Sequence, residues 1–178
     1  MLVVGDSLSA EYGIERGSGW VSRLGRRLAE RAGQYTVVNA SISGDTTSGG
    51  VARLPALLRE HHPAVVVIEL GGNDGLRGLP VRQMRANLEA MAAAARAAGA
   101  RVLLVGMRIP PNYGAPYAEA FAAAFAQAAR AQGTALLPFL LEGIDFGAEG
   151  FQPDRIHPLA AQHERMMENA WAKLRPLL

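Results

Sequence analysis

Ala64-Val65-Val66-Val67-Ile68-Glu69-Leu70, followed at once by Gly71-Gly72-Asn73-Asp74-Gly75, is the stretch that decides the architecture. A run so short, valine-rich and almost continuously apolar fits a strand buried on both faces of a parallel sheet. Four further runs share that character: Leu2 to Val4, Tyr35 to Val38, Arg101 to Met107 and Thr134 to Phe139. Between them the apolar period lengthens to that of a helix. Trp20, Val21, Leu24 and Leu28 share one face, with Arg23, Arg26, Arg27 and Arg31 on another, so this basic cluster reads as a wet helix face. Val81, Met84, Leu88, Met91 and Ala95 repeat the pattern, as do Tyr117, Phe121 and Phe125, then Leu159, Met166, Ala170, Trp171 and Leu174. Gly33, His62-Pro63, Gly99 and Gly133 stand where each helical period ends. Strand and helix alternating five times predicts an α/β chain. The expected form is a three-layer αβα sandwich around a five-stranded parallel sheet, one domain over residues 1–178, with ligand-contacting loops beyond the carboxyl ends of the strands.

Bulk properties narrow the function classes. Half of the 178 residues are hydrophobic (49%), enough for a sizeable core. Lys plus Arg is 18 against 16 for Asp plus Glu, and the cations are spread from Arg16 to Arg175, which argues against nucleic acid or a membrane surface as partner. The absence of cysteine removes disulfides, thiolate metal sites and a cysteine nucleophile together. No apolar run approaches the roughly 20 residues of a membrane span, and no charged start with an apolar signal stretch precedes Leu2-Val3-Val4.

The polar residues directly after the strands project into the one crevice such a sheet offers. They are Gly5-Asp6-Ser7-Leu8-Ser9, then Asn39 to Gly44 with Asp45 and Thr46, then Gly71 to Gly75; Asp154-Arg155-Ile156-His157-Pro158 precedes the last helix. A serine hydroxyl is a weak nucleophile and needs a base, usually a histidine held by a carboxylate. Asp154 and His157 are three positions apart, and Pro158 suits the first turn of the following helix, which would bring carboxylate and imidazole together and leave the other ring nitrogen for Ser7. The backbone N–H groups of Ser7 and Gly44 and the side-chain amide of Asn73 are candidate donors to a developing oxyanion.

Gly-Asp-Ser-Leu near the amino terminus, a glycine after the second strand, Gly-Gly-Asn-Asp after the third and Asp-x-x-His-Pro near the carboxyl end together resemble the GDSL, or SGNH, hydrolase family. The resemblance spans nearly the whole chain. It implies a flavodoxin-like fold, with Ser7, Gly44, Asn73 and His157 as the residues that family is named for, and Asp154 as the matching aspartate. Val3-Val4-Gly5-Asp6-Ser7-Leu8-Ser9-Ala10-Glu11-Tyr12-Gly13 and Asn39 to Thr47 look like the bacterial thioesterase I and arylesterase branch. That branch implies acyl thioesters, aryl esters and lysophospholipids as substrates, a periplasmic or secreted location, no cofactor and no metal.

Apolar residues crowd the same loops: Leu76 and Leu79, then Ile109, Pro110, Pro111 and Tyr113, then Phe139, Ile144, Phe146 and Phe151. Leu76, Ile109, Pro110, Tyr113, Phe139 and Ile156 are therefore the expected substrate-binding residues, which favours a small-molecule acyl or aryl ester or thioester, handled by a monomer, over an acetylated carbohydrate. Gly75 and Gly78 make the loop after Asn73 a candidate lid. Other readings remain open: a carbohydrate acetylesterase of the same family, or a non-enzymatic binding module on the same scaffold. Asp6 and Asp74 read as Asx residues tying their own loops, Thr46 or Thr47 as a helix cap, His61 and His62 as a helix end, and His163 as a core histidine. A zinc site from Asp154, His157 and His163 would leave Ser7 and Asn73 without a role.

Overall fold

The computed structural model describes residues 1–30, 35–147 and 149–178. The helix stop expected at Gly33, and Arg31, lie outside the described residues. Five strands, β1 (Leu2–Gly5), β2 (Val38–Asn39), β3 (Val65–Glu69), β4 (Arg101–Val105) and β5 (Ala135–Leu137), form one sheet in the order β2-β1-β3-β4-β5, every pair parallel. Their continuous apolar runs follow from position: β1 and β3 are buried along their whole length because both sheet faces are covered. Helices α1 (Trp20–Ala29) and α6 (His163–Leu174) pack on one another over one face, while α4 (Val81–Ala97) lies between α2 (Thr47–His61) and α5 (Ala115–Gln132) over the other. The apolar stripes read from the sequence point inward, with Trp20, Leu24, Met84, Leu88, Phe121 and Phe125 all fully buried.

Several boundaries differ from the sequence pattern, and some of them have a physical cause. β2 starts at Val38 rather than Tyr35, because pairing with β1 begins where the Val38 N–H reaches the Met1 carbonyl; the Tyr35 hydroxyl instead donates to the Leu178 carbonyl. β5 ends at Leu137, since Pro138 has no N–H to continue the ladder. Pro158 does not open the last helix. It bridges Phe151 in an antiparallel pair, backed by Gln152 N–H to the His157 carbonyl (2.8 Å) and Leu159 N–H to the Gly150 carbonyl (3.0 Å), so residues 150–159 form a closed loop and α6 begins only at His163. Cross-strand pairing here overrides the local helix signal.

β4 and β5 approach so closely after their last residues that Gly106 has no room for a side chain. Its N–H donates to the Leu137 carbonyl (2.7 Å), and a Cβ would overlap the Pro138 carbonyl oxygen while lying 3.1 Å from that of Leu137. Backbone cannot swing aside as a side chain can. Gly106→Ala is expected to destabilise the fold by about 1–3 kcal/mol in urea unfolding, the usual range for forced overpacking.

Candidate active site

The sheet order reverses direction between β1 and β3, which opens the crevice where doubly wound sheets hold ligands. Ser7 follows β1, Gly44 follows β2, and Asn73 follows β3 in the short helix α3 (Gly72–Leu76). The closed loop 150–159 brings the carboxyl-terminal pair over them. His157 Nε2 lies 2.8 Å from Ser7 Oγ, and His157 Nδ1 lies 2.6 Å from Asp154 Oδ2. The other carboxylate oxygen accepts the N–H groups of Ile156 (2.9 Å) and His157 (3.0 Å). Partial burial alone would raise the Asp154 carboxyl, but those two amides and the imidazole hold it below the usual carboxylate range. Asp154 is thus fixed as an anion behind the ring.

Gly44 turns the chain at φ +80, a left-handed conformation that glycine adopts without strain. Among the described residues, neither the Gly44 nor the Ser7 N–H donates to a protein acceptor. Asn73 Nδ2 donates to Asp6 Oδ2 (3.0 Å) and to the Asp45 carbonyl (2.9 Å), so the amide is oriented from two sides. Asp6 ties its own loop through the Leu8 N–H (3.0 Å) as expected, but it also holds Asn73. Burial pushes the Asp6 carboxyl up to about 6, against the opposing pull of the Leu8 amide, His157 and Asn73. Beneath it Glu69, fully buried and next to Asp6, is raised well above the usual value; its Oε2 accepts the Ser9 hydroxyl (2.7 Å). Asp74 ties not its own loop but the start of α2, accepting the Thr47 N–H (2.9 Å) and hydroxyl (2.5 Å). Thr46 is the cap of that helix.

Ser7, Asn73 and His157 open into a cleft of about 210 Å³ whose other walls are chiefly apolar. Leu76, Ile109, Pro110 and Ile156 line it. Tyr113 and Phe139 do not: Tyr113 stands behind the wall with its hydroxyl on the Leu76 carbonyl (2.8 Å), and Phe139 is buried beneath Phe146, ring centroids 6.3 Å apart. Met107, Leu141, Arg108 and Arg155 line the cleft without having been singled out in the sequence, as nothing in their spacing announces it. Tyr12 is a further omission; its ring stands 4.5 Å from that of His157, screening the imidazole from one side. The segment after Asn73, read as a lid, is helix α3 and is strapped by Tyr113 on Leu76, Tyr117 on the Leu79 carbonyl (2.7 Å) and Arg77 on the Gly44 carbonyl (2.9 Å).

His163 is buried away from Ser7. Its Nδ1 accepts the Trp20 N–H (3.1 Å) and its other nitrogen bonds to the Pro158 carbonyl, so a neutral imidazole pins the residue after His157 to the start of α1. Among the described residues no three His, Asp or Glu side chains gather as a metal site. Burial, with Arg23 nearby, pulls His163 down to about 4 from an ordinary 6.5. The unfolded chain therefore binds this proton first, and the stability that His163 contributes falls as pH drops from 6.5 to about 4. Wild type is expected to lose roughly 2–3 kcal/mol more than His163→Asn across that window in urea titrations, a difference in which the carboxylates titrating over the same range, Asp6 among them, cancel.

Known proteins resemble this chain in sequence and fold. Residues 3–165 match the GDSL-like Lipase/Acylhydrolase family. The esterase TesA of Pseudomonas aeruginosa is 56% identical over 179 residues, covering 100% of this chain and 89% of that protein. Thioesterase 1/protease 1/lysophospholipase L1 of Escherichia coli is 44% identical over 158 residues, 89% of this chain and 74% of that protein. The crystal structure of the psychrotrophic esterase EstA from Pseudoalteromonas sp., inhibited by monoethylphosphonate, superposes with a TM-score of 0.93 at 36% identity, covering 98% of this chain and 96% of that one. With a family match over most of its length and relatives this similar, the chain belongs to the GDSL-like lipase/acylhydrolase family.

Proposed function

We propose that this acylhydrolase cleaves carboxylic esters and thioesters with acyl or aryl groups, using Ser7 as nucleophile, His157 as general base and then acid, and Asp154 as the group that orients the imidazole. The observation that carries the reading is the unbroken relay from Asp154 Oδ2 through His157 to Ser7 Oγ, with links of 2.6 and 2.8 Å. Ser7 Oγ attacks the carbonyl carbon as its proton passes to His157 Nε2. The oxyanion is held by the N–H groups of Ser7 and Gly44, uncommitted among the described residues, and by Asn73 Nδ2, which turns the hydrogen now on the Asp45 carbonyl to the charged oxygen and keeps its bond to Asp6. His157 returns the proton to the departing alcohol or thiol, and water then attacks the acyl-Ser7 ester by the same sequence. Relatives named esterase, arylesterase and thioesterase support the reaction class.

The apolar walls formed by Leu76, Met107, Ile109 and Leu141 suit an acyl chain or aryl ring better than a sugar, which calls for hydroxyl-matching polar groups. The test is a p-nitrophenyl ester series of increasing acyl length, combined with phosphonate labelling. Turnover that varies with chain length, with the label on Ser7, is expected. Activity confined to acetylated sugars would overturn the substrate class, and turnover with label elsewhere would overturn the mechanism.

A further inference from the structure

The catalytic cleft does not end at His157. Beyond it lies a larger depression of about 610 Å³, lined by Phe146, Phe151, Gln152, Pro153, Arg155 and Leu159. Phe146, Phe151 and Arg155 face both spaces, so the two are neighbours across a shared ridge. The rings of Phe146 and Phe151 stack with centroids 4.9 Å apart, giving that ridge a flat apolar side. The amide of Gln152 is committed to the carbonyls of Tyr12 and Pro158. Arg155 is different. It is exposed, and among the described residues its guanidinium has no hydrogen-bond or ion-pair partner. The second cation of the cleft, Arg108, is already paired with Glu142 (3.7 Å) and seated over the Phe139 ring.

Arg155 also sits at φ +56, a left-handed conformation that disfavours any residue with a Cβ. A strained non-glycine residue beside a reacting group calls for a reason beyond the turn itself, because glycine would make the same turn without the cost.

Chemistry assigns the side of the substrate that meets this arginine. The leaving oxygen or sulfur must come within reach of His157 Nε2 to be protonated as the bond to the carbonyl carbon breaks. The leaving group therefore exits on the side of the histidine loop, where Arg155 stands two residues from His157. That leaves the apolar side chains of Leu76, Ile109 and Leu141, which line the same cleft, for the acyl chain.

We propose that the depression beyond His157 is a leaving-group subsite in which Arg155 selects esters and thioesters whose alcohol or thiol carries an anion, a carboxylate or a phosphate. This inference rests on the acyl-transfer reading above. The anion keeps its charge throughout; only the acyl bond and the His157 proton change hands. A planar guanidinium suits either oxyanion, and the apolar ridge accommodates the carbon skeleton between anion and scissile bond.

The experiment compares isosteric substrates with one acyl chain. Octanoyl thioesters of mercaptopropionate and mercaptopropionamide form one pair, and monooctanoylglycerol phosphate and monooctanoylglycerol the other. The two pairs separate carboxylate from phosphate and thiol from alcohol. The variant is Arg155→Gly, which keeps the left-handed turn and relieves its strain, so loss of folding is not the expected outcome. In wild type the anionic partner of at least one pair is expected to have the higher kcat/KM, chiefly through KM, with the advantage shrinking as added salt screens the charge. In Arg155→Gly the anionic-to-neutral ratio is expected to fall about fivefold, and in Arg155→Lys by less. A general loss of activity cancels from this ratio. An anion moved to the far end of the acyl chain is expected to show no dependence on Arg155. Equal ratios in wild type and Arg155→Gly for both pairs, or a dependence that follows the acyl-side anion instead, would overturn the subsite. Failure of the acyl-transfer reading is told apart by Ser7→Ala, which would then still hydrolyse the neutral substrates.

Discussion

Ser7→Ala is expected to hydrolyse p-nitrophenyl esters about 10⁴-fold or more slowly than wild type, and the double variant Ser7→Ala/His157→Ala to be no worse than either single one. The relay acts as a unit: without Oγ there is nothing for His157 to deprotonate, and without the imidazole the hydroxyl is a neutral alcohol at physiological pH. The 2.8 Å contact between His157 Nε2 and Ser7 Oγ is the bond both variants break. Residual turnover would report the oxyanion donors and binding alone, which neither substitution removes. Losses that multiplied in the double variant would show two independent contributions and sink the relay. The substitutions leave the buried core intact, because Ser7 and His157 both border the open cleft, and thermal unfolding of the single variants should stay close to wild type.

Asn73→Ala is the second large effect, and it should act on two observables at once. Removing one preorganised oxyanion donor is expected to lower kcat by about 10²- to 10³-fold, with little change in KM, as the amide matters most once charge has built up on the carbonyl oxygen. The same amide supplies a hydrogen bond to Asp6 Oδ2, at a site only 2% exposed. Its loss leaves a buried carboxylate oxygen short of a donor, at a cost of about 1–3 kcal/mol when Asp6 is ionised. The sign in pH follows from the raised carboxyl. Asp6 folds with a pKa of about 6 against 3.8 in an ordinary setting, so its favourable contribution is complete below 3.8 and is lost as pH rises through about 6. Asn73 offsets part of that loss. The stability penalty of Asn73→Ala should therefore be small at pH 4 and grow towards pH 8, whereas the kcat defect should persist wherever His157 is competent. Urea titrations at the two pH values, beside single-substrate kinetics, separate these roles. A penalty that is flat in pH would show that Asn73 does not support the Asp6 anion.

Periodicity in the sequence was enough for the layers and the strand count. Apolar runs without alternation meant strands covered on both faces, and stripes at helical spacing meant helices laid against them; these are local patterns that survive folding unchanged. That Ser7, Gly44 and Asn73 come together was legible because residues that follow parallel strands share one sheet edge whatever their distance along the chain, whereas His157 follows no strand and was a candidate through the Asp-x-x-His-Pro pattern. Other features are consequences of closure. Pro158 carries a helix-start signal, yet its bridge to Phe151 draws it into the loop that presents His157, because a strand-like pairing across seven residues outweighs a one-residue preference. Asp6 looks like a loop-tying aspartate and is one, but the partner it orients is 67 residues away. Tyr113 and Phe139 have the composition of pocket residues and stand behind the pocket wall instead, since side-chain direction depends on packing that spacing does not encode. The same holds for Arg155. Its place between Asp154 and His157 was visible in the sequence, but its left-handed backbone, a charge unpaired among the described residues and its position on a ridge between two spaces arise only when the loop folds over the sheet edge.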